Sequence, residues 1–245
     1  MISFPPFSAG TFTVQVLIGV IYSWLIINIA VADAGASVIY QLEFGSEKGV
    51  STRSWLENNS FILKHDASDS DKMHLSQSTD ALHIKVKEAS FGLMIHEQDV
   101  PNANYIRLHW GVSDYPEGAS YEHGVDDEAI LVYVFFGHEK LPSGELFVPD
   151  SPYFIGLFLC QDGSDTLDKA YVGHHFKKTG RYICVDHPRP NETVITELDL
   201  REVFRKSFGS DNVPTVSGIS IEVDTTHNEN DGIAIAFLKQ IIFLN

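Results

Sequence analysis

Positive charge is scarce in this sequence. Lysine and arginine together number 17 against 33 acidic residues, giving a formal net charge of -16. No basic stripe offsets that field, so a phosphate backbone would be repelled, and nucleic acid is excluded as a partner. Cysteine is almost absent too, with only Cys160 and Cys184, and there is no CxxC pair. A thioredoxin-like redox motif or a cysteine-rich zinc module is thereby ruled out. The chain also lacks a nucleophile elbow, a phosphate-binding glycine loop and a dinucleotide fingerprint, which removes the best-marked enzyme classes. No internal repeat or low-complexity tract interrupts it.

What is present begins with one long apolar run. Val14 to Ala32 reads VQVLIGVIYSWLIINIAVA and carries no charge. As a helix it would rise about 28 Å, close to the thickness of a bilayer core. Small residues follow at Ala30-Val31-Ala32 and Ala34-Gly35-Ala36, the pattern a signal peptidase reads. The small residues favour a cleaved signal peptide; the length favours a retained membrane anchor; a buried core helix is the third reading. The first basic residue is Lys48, so the positive-inside rule gives no orientation. The expected organisation is a leader or anchor over residues 1–36 and one domain over 37–245, exported to a periplasmic or extracellular face. A domain of about 210 residues buries about 70% of its unfolded surface and can fold without metal or disulfide.

The body alternates with a period of two. Leu82, Ile84 and Val86 alternate with His83, Lys85 and Lys87. Ile106, Leu108, Trp110 and Val112 form another apolar face, as do Ile130, Val132, Val134 and Phe136, and then Ile219, Ile221 and Val223. Each pattern predicts a strand with one buried face. Ile155 to Cys160 and Ile233 to Phe237 are apolar on both faces, as in central strands. Ser68 to Asp80 is polar and reads as a surface loop or hairpin. One helix is expected in the C-terminal half, capped by Thr196 with Asp199 three residues on, striped by Leu200, Val203, Phe204 and Phe208, and stopped at Gly209. Many short strands with one helix predict a mostly β, two-sheet antiparallel sandwich of jelly-roll-like form, preceded by the N-terminal hydrophobic helix. If their strands are adjacent, Cys160 and Cys184 could pair in an oxidising compartment; otherwise they are two buried thiols.

The stretch Tyr105 to Gly137, YIRLHWGVSDYPEGASYEHGVDDEAILVYVFFG, resembles an uncharacterised bacterial family, domain of unknown function 3047. That family runs a Trp-bearing strand into a Pro-Gly turn, an Asp pair and a strand ending Val-Tyr-Val-x-Phe. Ala89-Ser90-Phe91-Gly92-Leu93, Phe208-Gly209 and the run IEVDTTHNENDGIAIAFLKQIIF are similar in the same order, so the resemblance spans roughly Trp55 to Phe243. Where the family commonly carries two Trp with basic residues between, this chain has Leu108 and Trp110 with His109 and Gly111. A family Arg after the Asp pair is replaced by Ile130 or Leu131. The resemblance implies an exported jelly-roll-like sandwich akin to carbohydrate-binding modules, and it supplies no activity.

Candidate chemistry gathers at two places. Around Asp126 and Asp127 lie Trp110, Asp114, Tyr121 and His123, with His109 pointing away from the core. Aromatics there could stack on a sugar ring while carboxylates bond its hydroxyls. Trp110 shares the face of Ile106 and Leu108, which favours the core for it. Asp126 and Asp127 could instead start a strand by accepting backbone N–H bonds. The second place is the loop carrying Asp224, Asn228, Asn230 and Asp231, rich in oxygen donors for Ca²⁺ but without the EF-hand spacing; a polar hairpin is its other reading. His174-His175 cannot chelate together from one strand, and no third ligand stands at standard zinc spacing. The expected function is an exported, non-catalytic binding or accessory domain for a saccharide-like ligand or an envelope protein partner, with no cofactor beyond that Ca²⁺. The alternatives are a glycan hydrolase using pairs drawn from Asp114, Glu122 and Asp126, or a structural subunit of a membrane complex.

Overall fold

A computed structural model of the chain describes residues 36–143, 148–173, 175–227 and 232–245. The expected leader, Val14 to Ala32, lies outside the described residues. Among those described, no helix is long and apolar enough to cross a membrane.

Thirteen strands are described: β1 (Val38–Glu43), β2 (Phe61–His65), β3 (Met73–Gln77), β4 (Leu82–Lys87), β5 (Phe91–His96), β6 (Tyr105–Asp114), β7 (Glu128–Leu141), β8 (Ser151–Leu159), β9 (Ala170–Val172), β10 (Gly180–Asp186), β11 (Val194–Asp199), β12 (Val216–Asp224) and β13 (Ile233–Leu244). They build two sheets. One has the order β11-β6-β13-β4-β3, with β1 also paired to the long β13. The other has the order β2-β5-β12-β7-β8-β10-β9. Residues 36–245 form one compact unit, a mostly β, jelly-roll-like sandwich. The pairing is antiparallel except at β8 and β10, which run parallel. The chain between these two crosses over and adds β9 as the outer, antiparallel neighbour of β10.

The alternating apolar residues meet between the sheets. Ile84, Val86, Leu108, Trp110 and Val112 from one sheet pack with Ile130, Val132, Val134, Ile155, Leu157 and Ile221 from the other, all buried. Trp110 is fully enclosed, and its Nε1–H donates to Thr196 Oγ1 at 3.0 Å. A buried indole N–H needs such a partner, so the hydroxyl is structural.

Two helices accompany the sheets. α1 (Thr52–Asn58) is capped by the Ser51 hydroxyl, which accepts from the Ser54 N–H, and it buries Trp55 and Leu56. Its seven residues are too few to show an apolar stripe, so sequence pattern does not reveal it. α2 (Leu200–Phe208) is the expected C-terminal helix, stopped at Gly209 in the left-handed region. Its cap is Asp199, which accepts from the Glu202 N–H at 2.8 Å. Thr196, the expected cap, stands instead on β11 and serves Trp110. Phe204 of α2 packs against Phe136 and Tyr153, with ring centroids 4.9 and 5.6 Å apart. Of the two forms expected for the polar stretch 68–80, the hairpin is the one adopted, since β3 pairs antiparallel with β4. It holds the edge strand β3, whose Met73 and Leu75 are buried while His74 is exposed.

Candidate functional site

The seven-stranded sheet is apolar on its outer face as well. Leu131, Tyr133, Phe154, Phe158 and Tyr171 form a second buried cluster there, joined by the partly buried Leu93, Tyr121, Phe135, Phe176 and Tyr182. Leu93, Leu131, Tyr133, Phe135, Phe154, Phe158 and Tyr182 alternate with the core-facing residues on β5, β7, β8 and β10, while Tyr121, Tyr171 and Phe176 come from the segments that cover them. Gly156 makes room among them, since a Cβ at that position would lie 3.0 Å from Leu131 and 3.2 Å from Tyr133.

Two carboxyls sit in this layer. Glu222 of β12 is 6% exposed and Glu128 of β7 is 2% exposed. Register brings them together. Leu131 pairs with Glu222, but Glu128 pairs with Asp224, so a bulge inserts one extra residue on β7. Strict alternation would put Glu128 with Ile130 on the core face; the bulge turns it toward Glu222. The two carboxyls share a hydrogen bond. The Tyr121 hydroxyl donates to Glu128 Oε2 at 3.1 Å, and the Tyr133 hydroxyl donates to Glu222 Oε1 at 2.7 Å. The Tyr182 hydroxyl lies 3.4 Å from that of Tyr133.

Burial dominates the electrostatics. It pushes Glu222 up to about 7, with Asp224 and Asp126 adding to the effect. Burial and the Glu222 charge hold Glu128 well above the ordinary carboxyl range. At neutral pH the pair therefore keeps at least one proton between its carboxyls, since two carboxylates in contact cannot both ionise. Burial likewise raises Tyr121 and Tyr133, which stay neutral donors.

A cleft of about 330 Å³ opens over Glu222. Its walls are Phe91, Leu93, Ile95, Phe135, Phe154 and Phe176, with Tyr133, Ser220 and Glu222 at the polar floor and His65 and His175 at the margin. An apolar concavity with a few convergent polar groups is the usual form of a small-ligand site.

The predicted residues lie around this cleft and in other parts of the sandwich. Tyr121 joins the outer-face aromatic layer beside the cleft but does not line it. Its ring stacks on Phe158 at 4.5 Å and on Tyr182 at 5.3 Å. Asp126 and Asp127 end the loop before β7 and grip another loop. Asp127, 3% exposed, accepts from the His227 N–H at 2.9 Å, and Asp126 lies 3.2 Å from His227 Nδ1. Asp127 thus accepts a backbone N–H, from a distant loop and not from the strand-starting turn expected of it. Trp110 is core and offers no ring to a ligand, because the period-two alternation turns it inward. His109 faces out from the six-stranded sheet, on β6, where burial and then the Arg107 charge lower its basicity. Asp114 is exposed at the end of β6. His123 is exposed, with Nδ1 2.9 Å from Ser120 Oγ. Trp110, His109 and Asp114 therefore do not share the cleft.

Glu122 is held by Lys169 at 2.7 Å and by Thr166 and Tyr171, which lower it to about 2. It is a latch carboxylate, ionised at any working pH. Asp224 spends one oxygen on the Thr226 N–H and hydroxyl, at 2.9 and 2.6 Å. Asn228, Asn230 and Asp231 lie outside the described residues, as does His174. Among the described residues, no group of three or more His, Cys, Asp or Glu could hold a metal. Cys160 and Cys184 form a disulfide with Cα atoms 5.7 Å apart. The bond ties the end of β8 to β10 beside Tyr121 and Tyr171.

No family model matches this chain. No curated protein matches it either. Among solved structures it is similar to the glycoside hydrolase domain of Endo-D from Streptococcus pneumoniae R6. The TM-score is 0.35 and the identity 9%, over 75% of this chain and 21% of that one. The chain thus spans about a fifth of that structure's length, and a likeness this distant says nothing about the cleft.

Sequence reasoning missed Glu222, Tyr133, Tyr182 and the phenylalanine walls. Glu222 alternates with Ile221 and Val223, which reads as a solvated face. The available signal was in the neighbours: residues 130–136 and 153–159 are apolar on both faces, so the outer face of this sheet had to be covered.

Proposed function

We propose that this chain is an exported, non-catalytic binding domain that holds a saccharide-like ligand in the cleft of the seven-stranded sheet. The observation that carries the reading is the pairing of aromatic walls with a hydrogen-bonding carboxyl floor. Sugar rings offer apolar faces to aromatic side chains and hydroxyls to carboxyl and hydroxyl groups. The disulfide supports export, since such bonds persist in oxidising compartments.

The geometry speaks against glycoside hydrolysis at this place. A retaining glycosidase separates its carboxyls by about 5 Å and an inverting one by more, so that both face the sugar. Glu128 and Glu222 instead bond each other and two tyrosines. Glu122, a candidate acid by sequence, is locked in an ion pair.

The test is a glycan array with the full chain in mild detergent, followed by calorimetry on any hit. Phe135→Ala, which strips one half-buried wall, should weaken binding about tenfold or more, as loss of a stacked aromatic does. An array without hits, or a hit insensitive to Phe135→Ala, would remove the reading.

A further inference from the structure

We propose that the cleft selects a saccharide bearing a free ammonium group, an amino sugar, rather than a neutral one. The inference rests on the saccharide reading above and names its chemical class.

Three observations carry it. First, among the described residues no cationic side chain bonds the buried carboxyl pair. Among the described residues, the hydrogen-bond partners of Glu128 and Glu222 are each other and the hydroxyls of Tyr121 and Tyr133. Asp126, from the loop before β7, and Asp224, at the end of β12, add negative field, and Tyr182 adds a neutral hydroxyl from β10. A buried charge lacking a cationic partner is costly, and a ligand cation can relieve that cost. Second, the described lining contains no lysine or arginine; its bases are His65 and His175 at the margin. Third, the walls are aromatic, and ring faces attract a desolvated ammonium. A metal ion would want several oxygen ligands instead of phenyl rings. The ammonium would lie over Glu222, with the sugar ring against Phe135 and its neighbours.

Binding would also move a proton. An ammonium over the floor favours the ionised form of Glu222, so a proton leaves the carboxyl pair for solvent as the complex forms. Apart from that ionisation of a carboxyl O–H, no bond is made or broken.

The experiment compares a glucosamine tetramer with its N-acetylated counterpart by calorimetry on the full chain at pH 6.5. Running it in two buffers of different ionisation enthalpy reads the proton count. The amine form should bind about tenfold tighter, with net proton release in the wild-type protein. Glu222→Gln keeps the shape and the acceptor for Tyr133 but removes the charge. It should abolish the preference for the amine form and the proton release that goes with it. If the acetylated tetramer binds as well as the amine form, or the amine binds without proton release, the amino-sugar inference falls and the saccharide reading stands. If Glu222→Gln keeps the preference, the inference falls likewise. If neither tetramer nor any other sugar binds, both readings fall together. The proton count comes from the wild-type protein, so the test does not depend on the variant folding.

Discussion

The carboxyl pair should leave a signature in stability that any melting experiment can read. Glu222 lies near 7 in the folded chain against 4.5 for an exposed glutamate. The folded value is the higher one, so its contribution is complete at pH values below about 4.5. It is lost progressively as pH rises through about 7. A displacement of that size corresponds to roughly 3 kcal/mol, or about 6–12 °C of melting temperature for a domain of some 200 residues. Glu222→Gln cannot ionise, so it should escape this loss. Glu128 responds to the same substitution, because the Glu222 charge is one of the causes that hold it high, so the comparison reads the carboxyl pair as a whole. His96 acts in the opposite sense. Burial lowers its basicity, so it adds stability as pH rises toward 6.5. The quantity to follow is therefore the difference between wild type and Glu222→Gln, by circular dichroism melts from pH 4.5 to 8.5 with the disulfide intact. The variant should gain on the wild type from about pH 4.5 to about 7 and keep a constant lead above that. Curves parallel throughout would refute the claim that Glu222 is buried and charged against its surroundings.

Replacing Cys160 and Cys184 together by serine opens a loop of 24 residues. This should cost about 3 kcal/mol in urea unfolding, and reductant should lower the wild-type midpoint toward the variant's; equal midpoints would contradict the bridge. Gly111→Ala would place a Cβ 2.2 Å from the Glu192 carbonyl and 2.3 Å from the Phe237 ring. The expected loss is about 1–3 kcal/mol by the same assay, and a neutral result would mean that β6 and β13 are packed less closely there.

The outer-face layer also ties the site to the disulfide. Ser120 caps the turn that carries Tyr121, and Asp165 accepts from the Glu122 N–H at 3.0 Å. Lys169 and Tyr171 close on the same glutamate. The segment between the cysteines thus holds the turn that presents the Tyr121 hydroxyl to Glu128. Loss of the bridge is expected to loosen this latch before it disturbs the core between the sheets, where the packing is independent of it.

Alternation in the chain was enough to say which side chains of β4, β6, β7 and β12 face the interior, and hence that the body is a two-sheet sandwich. Burial in a strand is a local matter of parity, and parity is written residue by residue. Gly209 likewise marked the end of α2, because the left-handed turn there is a demand of local backbone. Partners across the sheet are not local. The bulge that swings Glu128 to Glu222, the meeting of Cys160 with Cys184, and the pairing of Thr196 with Trp110 instead of a helix end all depend on register between strands far apart in sequence. Only the assembled sheet decides whether a polar residue such as Glu222 faces water or a second apolar layer, since the same period-two pattern serves both.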